Sequence, residues 1–244
     1  MNNAELSSNF VQILGLNRKP VGVKFIDNAS NFCLDGYDFT LKIRFCQSLM
    51  LATQGNKVVI TKDNITCPAS GAALGFKPLP DALSSGKMLY DLGLFSSVDA
   101  GKKLMENITR LPLGKYEKIA VGPLDLMEFE PDVVIVESKP EHIMWIALAS
   151  IFNTGKRCEF DTGIFQASCV DSTILPFVKN KLNVSLGCYG CRDATNISDD
   201  ECLAGMPFKM ANEVVESLKH LGKKPLPRAR SKIALQSLQQ SFKK

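Results

Sequence analysis

The sequence predicts an α/β protein, with α+β as the alternative, in which two related halves pack as one compact domain. Apolar residues recur with helical spacing in some segments and alternate in others, as expected when helices and strands follow one another along a chain. The 244 residues are 45% hydrophobic, which is enough to bury a sizeable core. We expect two βαβ-like halves, at about residues 18–115 and 116–221, that meet at a cysteine-lined junction.

Glycine and proline mark the predicted elements of the first half. The expected order is a helix over 5–14, a strand over 21–25, a helix over 44–54, a strand over 57–61 and a helix over 67–75. Pro68 suits the first turn of that last helix, which places Cys67 at or near its N-cap. The chain then continues with a loop over 77–115, a helical turn at 81–85 and a helix that starts near Ser97.

Strand-like runs and Ser-x-x-Asp/Glu patterns, which are typical of helix starts, predict the second half. The expected order is strands over 118–121 and 132–136, a helix from Ser138 to Gly155, a strand over 157–160 and a helix from Ser168 that holds Cys169 in its first turn. A strand over 182–186 leads into a loop at 185–192. A short helix after Ser198 and a final helix from Pro207 complete the predicted body.

One arrangement occurs twice in this order. A helix that ends at Gly55, a strand and a helix headed by Cys67 are followed about 100 residues later by a helix that ends at Gly155, a strand and a helix that holds Cys169. If the repeat is a duplication, Cys67 and Cys169 occupy equivalent positions and face each other across the junction. Helix starts carry partial positive charge, which stabilises thiolates and anionic clusters.

The net charge of +4 is unevenly distributed. From Gly222 onward the chain has seven basic residues and no acidic one, so removing this basic tail, 222–244, leaves −3 for the body. An acidic body argues against a nucleic-acid partner, and the tail is expected to be either solvated or docked onto a partner protein. The longest apolar run, 143–152, is too short to cross a bilayer, and the first residues lack a secretory pattern. We therefore expect no membrane partner and a cytoplasmic protein.

Eight cysteines are many for such a protein, whereas the only histidines are His142 and His220, both in predicted helices. Any metal site is therefore expected to be rich in thiolates, which favours iron–sulfur or zinc over histidine-ligated metals. Cys188 and Cys191 form a Cys-x-x-Cys pair at a strand end. Glycines beside them, including Gly187, allow the backbone to approach a bulky ligand.

Several segments resemble those of the uncharacterised family named domain of unknown function 169. The segments are Pro20-Val21-Gly22-Val23-Lys24-Phe25, Arg44-Phe45-Cys46, Cys67-Pro68-Ala69-Ser70-Gly71-Ala72-Ala73-Leu74-Gly75, Phe129-Glu130-Pro131-Asp132-Val133-Val134, Ser168-Cys169-Val170-Asp171 and Ser185-Leu186-Gly187-Cys188-Tyr189-Gly190-Cys191-Arg192. The resemblance covers about residues 18–221 and implies no known activity. It points to four family cysteines, Cys46, Cys67, Cys169 and Cys188, and associates the position of Cys191 with either cysteine or a small residue.

These four cysteines, two in each half, form the predicted ligand set of an iron–sulfur cluster, which we expect to be a 4Fe–4S cluster, with Cys191 as the first substitute. The expected role is electron transfer with a redox partner protein, or binding of a small anionic substrate at the cluster. Arg44 and Arg192, each close to a ligand, would offset cluster charge or bind the anion, and Gly187 would let the backbone approach the cofactor. The sequence assigns no catalytic residue and leaves open whether the protein is an enzyme.

Three other interpretations of the cysteines remain. A zinc site is disfavoured because such sites usually combine two close pairs, and the chain has one. A thiol redox pair at Cys188 and Cys191 is disfavoured because no obvious helix follows it, unlike in thioredoxin-type motifs. The cysteines can also be buried packing residues. With structural zinc or with merely buried cysteines, the protein is expected to be a non-enzymatic binding module that docks a partner through its basic tail.

Overall fold

A six-stranded sheet forms the centre of the fold in the computed structural model, which describes residues 1–30, 32–223 and 231–242. Its strands are β1 (Val21–Ile26), β2 (Val58–Thr61), β3 (Lys118–Pro123), β4 (Val133–Ser138), β5 (Asn183–Ser185) and β6 (Cys202–Pro207). Their spatial order is β2-β3-β1-β4-β6-β5, and each neighbouring pair is antiparallel. A mixed α/β fold in one compact domain is confirmed. The antiparallel pairing corresponds to the α+β alternative, because βαβ crossovers join parallel strands.

Helices cover both faces of the sheet. They are α1 (Asn3–Leu14), α2 (Phe45–Thr53), α3 (Pro68–Ala73), α4 (Asp81–Ser84), α5 (Lys87–Asp91), α6 (Val98–Asn107), α7 (Pro140–Ile151), a π-helix (Ala167–Ile174), α8 (Leu175–Lys179), α9 (Tyr189–Ala194), α10 (Phe208–Gly222) and α11 (Ile233–Ser241). Local sequence sets several of their ends. A capping box of Asn2 and Glu5 begins α1, and Gly15 ends it at φ 68°. As predicted, Cys67 is the N-cap of α3, with Pro68 in its first turn.

Two apolar layers lie on opposite sides of the sheet, and β4 contributes to both. Val133 and Ile135 belong to the layer beneath α2, the π-helix and α8, whereas Val134 and Val136 belong to the layer beneath α1, α7 and α10. This alternation follows from the two-residue period of a strand. Because both faces of β4 are buried, its first four residues, 133–136, form a continuous apolar run, and the sheet provides a rigid base for the helices above it.

Four predictions for the second half are wrong. Residues 157–160 form no strand, because side chains hold this segment to the edge of the sheet: Asn183 accepts a hydrogen bond from the backbone of Asp161 and donates one back to it. Ser198 starts no helix and is followed by a turn and then β6, which the sequence did not predict. The N-cap of α7 is Lys139, since Ser138 belongs to β4. Finally, Ser168 lies inside the π-helix instead of capping it.

The strand order is symmetric about the central β1–β4 pair, with β3 and β2 outward on one side and β6 and β5 on the other. On one side the chain runs from α2, which has Cys46 near its start, through the edge strand β2 to Cys67 at the N-cap of α3. On the other side it runs from the π-helix, which has Cys169 near its start, through the edge strand β5 to Cys188 at the N-cap of α9. This order makes Cys46 equivalent to Cys169, and Cys67 equivalent to Cys188. The sequence predicts Cys67 and Cys169 as the equivalent pair instead, because it predicts a strand over 157–160. The division into related halves stays a prediction.

The C-terminal part of the chain stands apart from the core. A helix expected within the basic tail is present as α11, and none of its side chains is buried. Five of the basic residues predicted to define the tail, Lys224, Arg228, Arg230, Lys243 and Lys244, lie outside the described residues. Across the described ranges, no helix is both long and apolar enough to cross a membrane.

Candidate cysteine-lined site

Five cysteines line one cavity of about 90 Å³, which lies beside α2 and the π-helix. They are Cys46, Cys67, Cys169, Cys188 and Cys191. The structure thus brings together all four cysteines of the predicted ligand set, and it adds Cys191, the predicted substitute. Widely separated stretches of sequence contribute to the wall, so the cavity exists only when the whole domain is folded.

Each of the five cysteines lies at or near the start of a helix. Cys46 is the second residue of α2, Cys67 and Cys188 are the N-caps of α3 and α9, and Cys169 and Cys191 are the third residues of the π-helix and α9. First-turn backbone N–H groups lack partners within their own helix and are therefore available to sulfur. One such group, from Ser70, lies 3.5 Å from the sulfur of Cys67.

Cys191 is at the centre of the sulfur contacts. Its Sγ lies 2.9 Å from Sγ of Cys188 and 3.0 Å from Oγ of Ser168. The pKa of the Cys191 thiol is lowered because the thiols of Cys188 and Cys46 and the hydroxyl of Ser168 donate hydrogen bonds to its thiolate. The pKa values of Cys188 and Cys46 are raised, first because each thiol donates to Cys191 and second because both are buried. Among these three cysteines, Cys191 is therefore the one that most readily carries a negative charge.

Cys169 is also buried and lies next to a strained segment. Burial raises the pKa of its thiol, whose Sγ lies 3.6 Å from the carbonyl oxygen of Gln166 and 3.9 Å from the Nε2 of that residue. Gln166 has a left-handed backbone (φ 60°) and comes directly before the π-helix. π-helices and left-handed non-glycine residues are uncommon and cluster at functional sites. Gln166 Oε1 is buried without a hydrogen-bond partner, so the cavity wall offers one unused acceptor.

The three predicted cofactor-binding residues differ in position. Arg44 lines the cavity, and its side chain is 44% exposed beside Asp193, at 3.7 Å. The guanidinium of Arg192 donates to three backbone carbonyls, those of Leu186, Ser198 and Glu201, and Arg192 is not among the lining residues. Gly187, at φ 81°, turns the chain towards the N-cap of α9 and is not in the wall either, whereas Gly190 is.

The remaining thiols and both histidines lie outside the cavity lining. Cys33 is exposed, Cys158 is half-buried, and Cys202 is buried in β6. His142 belongs to α7 and His220 to α10. Within the described ranges, no three histidine, cysteine or acidic side chains are arranged to hold one metal ion. The donors that reach the cavity are therefore sulfur, hydroxyl and amide groups, together with the Arg44 cation.

The predicted site residues omit five polar or small residues of the wall, Ala69, Ser70, Gln166, Ser168 and Gly190. Four of these stood inside recognised motifs, with Ser168 as an expected helix cap and Gly190 between the two cysteines of the pair. Gln166 had no signal at all, because a left-handed glutamine before a π-helix leaves no periodic trace in a sequence. It was also wrong to expect no helix after Cys188, since α9 starts at the next residue.

Comparisons with other proteins place the chain in an uncharacterised group. The family model DUF169, described as "Uncharacterised ArCR, COG2043", matches residues 9–217. "Uncharacterized protein MJ0308" of Methanocaldococcus jannaschii is 26% identical over 220 residues, which cover 88% of this chain and 93% of that protein. No solved structure matches the chain. The match therefore extends over nearly the whole body, including all five cavity cysteines.

Proposed function

Since the chain belongs to the DUF169 family, whose description names no activity, we propose a function from the cysteine-lined cavity: the protein holds an iron–sulfur cluster there. The observation that carries this proposal is the convergence of five sulfurs on one cavity. Thiolates are the usual protein ligands of such clusters, and no histidine competes for the site. Once bound, a cluster supplies one-electron transfer or, if one iron lacks a protein ligand, a Lewis-acidic position for substrate.

The arrangement of the sulfurs favours a cluster over a single ion. A structural zinc site usually combines two close pairs of ligands, and this chain has one such pair, Cys188 and Cys191. A cluster instead occupies the space between its ligands, so cysteines spread around a cavity suit it better. The wall is also largely apolar apart from the sulfurs and the side chains of Ser70, Ser168, Gln166 and Arg44, which lowers the local dielectric.

Cys46, Cys67, Cys169 and Cys188 remain the proposed ligands, and Cys191 has a role of its own. It lies against Cys188 and Ser168, where its hydrogen bonds favour the thiolate. It is therefore either the substitute ligand or a thiolate that tunes the site from beside the ligands. Backbone N–H groups at Ser70 and Ala167 are directed at the sulfurs of Cys67 and Cys188 and would hold those sulfurs in place.

Arg44 is the proposed contact for an anionic substrate or an acidic redox partner. Its side chain is half exposed at the cavity and is loosely paired with an exposed aspartate. Arg192 is not proposed to bind an anion, because its guanidinium already donates to three backbone carbonyls. Its function is to fix the loop that leads to Cys188.

Anaerobic purification tests the proposal. We expect brown protein with absorbance at about 400 nm, and iron with acid-labile sulfide in equal amounts. Cys169→Ser is expected to lose both, whereas Cys202→Ser, a matched substitution of a buried cysteine outside the cavity, is expected to keep both. Colourless wild-type protein that contains neither iron nor sulfide would refute the cluster.

A second function is favoured by one observation, the exposed apolar side chains of α11. Ile233, Leu235 and Leu238 are each more than half exposed on a helix that buries nothing. In this alternative the protein is a binding module that docks a partner through its tail, and the cysteines hold a structural zinc or pack the core. Zinc in place of iron, together with a partner that is lost on removal of the tail, would favour it.

A further inference from the structure

We propose that Cys188 and Cys191 form a reversible intramolecular disulfide when the cavity holds no cluster, by exchange with small organic disulfides of the glutathione type. This activity goes beyond cluster binding and does not need it. The sequence argued against a redox pair because no helix was expected after the cysteines. The structure removes that objection, because β5 ends at Ser185, Cys188 is an N-cap, and Cys191 is in the first turn of α9.

The geometry of the pair carries the inference. Sγ of Cys188 and Sγ of Cys191 are 2.9 Å apart, so a small movement brings them to a bond of about 2.05 Å. The backbone N–H of Cys191 donates to the carbonyl oxygen of Cys188, which fixes the turn between them. Gly190, between the two cysteines, meets no atom within 4 Å of an added Cβ, so the turn has free space in which to adjust.

The cavity is the proposed route by which a small disulfide reaches the pair. Both cysteines are buried, at 6% and 4% exposure, yet both line the cavity, whose wall also includes the half-buried Cys46 and the exposed Arg44. A disulfide that carries carboxylates, such as glutathione disulfide, matches the positive charge of Arg44 in the cavity wall.

The chemistry is two successive thiol–disulfide exchanges. One cysteine thiolate attacks a sulfur of the small disulfide, which breaks the S–S bond, forms a mixed disulfide and releases one small thiolate. The second cysteine, once deprotonated, attacks the bound cysteine sulfur and releases the second small thiolate. The two cysteines lose two electrons and two protons in all, and the small disulfide becomes two thiols.

One consequence rests on the proposed function. A disulfide between Cys188 and Cys191 removes a proposed ligand and its substitute together, so the oxidised protein cannot accept a cluster at that corner of the cavity. Reduction by a thiol returns both sulfurs. The pair would therefore make cluster loading depend on the thiol redox state of its surroundings.

The test uses full-length, cluster-free protein, reduced and then incubated with excess glutathione disulfide. Free thiols are alkylated, and the protein is digested with trypsin, which releases residues 182–192 as one peptide that holds both cysteines. We expect this peptide to stay unalkylated, at about 2 Da below its reduced mass, while free thiols fall from eight to six. Dithiothreitol should restore both alkylation sites.

Two variants complete the experiment. Cys188→Ser should leave glutathione attached to Cys191, whereas Cys202→Ser, with its cysteine outside the cavity, should still form the disulfide. Circular dichroism confirms that each variant is folded. Full alkylation of the 182–192 peptide after oxidation, or its crosslinking to the 45–57 peptide that contains Cys46, would overturn the assignment. Because the protein is cluster-free, failure to find iron in the anaerobic protein leaves this result unaffected.

Discussion

Glu137 is a buried carboxyl that shares the guanidinium of Arg18 with Glu201. It lies in β4 with 6% exposure, and its Oε1 is 3.1 Å from Nε of Arg18. Glu201 holds the same guanidinium with both of its oxygens at 2.9 Å. Burial raises the pKa of Glu137 to about 7, against the pull of Arg18 and Arg192 and with the help of the Glu201 charge. At neutral pH the protein therefore carries a carboxylate that burial penalises.

This penalty predicts a pH dependence of stability. The folded pKa of Glu137 lies above the unfolded value, so its stabilising contribution is complete below about pH 4.5 and is lost as pH rises through about 7. Relative to wild type, Glu137→Gln should gain up to about 3 kcal/mol in free energy of unfolding between pH 4.5 and 8. Urea denaturation across that range measures the difference.

Glu201→Gln provides a control of opposite sign. Its carboxyl has a lowered pKa because Arg18 donates hydrogen bonds to it, so the contribution of Glu201 is present at neutral pH and lost in acid. The Glu201 variant should therefore be less stable than wild type near pH 7, by an amount that shrinks as pH falls. A Glu137 variant whose stability parallels wild type at every pH would contradict the assignment of the raised pKa.

At the residue scale, cysteines were the best predicted part of the site. The grouping of Cys46, Cys67, Cys169 and Cys188 came from family motifs, and Pro68 gave the N-cap position of Cys67. The role of Arg192 was not predictable, because its three carbonyl partners come from loops whose paths only the folded chain defines. A basic residue beside a cysteine has the same appearance in sequence whether it binds an anion or donates hydrogen bonds that stabilise a loop.

At the scale of elements, the π-helix is positioned by one close contact with the sheet. A Cβ added at Gly205 of β6 would lie 1.8 Å from the carbonyl oxygen of Ser172. The π-helix backbone therefore rests directly on the strand, and only glycine permits this approach. Because Cys169 belongs to the same helix, Gly205 indirectly sets the depth of one wall of the cavity.

Gly205→Ala is therefore expected to push the π-helix away from the sheet. We predict a loss of about 2–4 kcal/mol in free energy of unfolding and faster alkylation of Cys169, because the obstructing atom is backbone and cannot rotate away. Chemical denaturation and iodoacetamide labelling followed by peptide mass analysis measure both effects. Gly190→Ala is the matched control, since an added Cβ there meets nothing within 4 Å. Equal behaviour of the two variants would show that this contact is unimportant.

Elements were predicted well wherever periodicity or capping was clear. The alternation at 21–25 gave β1, and the apolar stripe after Pro207 gave α10. β6 was missed because both of its faces are buried, so its sequence does not alternate, and Gly205 interrupts its apolar run. α9 was missed because six residues with an internal glycine carry too little helical signal. α9 contributes to the cavity wall and β6 packs against the π-helix, so tertiary packing overrides local preference in both elements.

For the molecule as a whole, stability is expected to come from the body and not from the tail. Leu218, in α10, is fully buried against the sheet, whereas Leu238, in α11, is 55% exposed. Truncation after Lys223 should therefore shift the thermal midpoint by less than about 2 °C, since α11 buries no side chain. Differential scanning calorimetry of the truncated and full-length proteins measures the shift.

Two leucine substitutions calibrate that experiment. Leu218→Ala should cost about 2–5 kcal/mol through the cavity that it leaves, whereas Leu238→Ala should stay within about 0.5 kcal/mol of wild type. A large loss from either Leu238→Ala or the truncation would mean that the tail packs against the body. That result would also remove the exposed helix on which the docking alternative depends.

The symmetric strand order explains why distant cysteines converge. A cysteine near a helix start and a cysteine at an N-cap occur on each side of the β1–β4 pair, and all four side chains reach one cavity. The sequence identified the cysteines but paired Cys67 with Cys169, whereas the strand order pairs Cys67 with Cys188, because the pairing depends on which strands exist. The ligand positions therefore belong to the whole sheet and not to any local motif.

Anomalous diffraction at the iron absorption edge, from crystals grown without oxygen, tests the cluster most directly. The predicted result is a strong iron peak inside the cavity, bounded by the sulfurs of Cys46, Cys67, Cys169 and either Cys188 or Cys191. An iron-free cavity in such crystals, or iron bound only at another place on the chain, would contradict it.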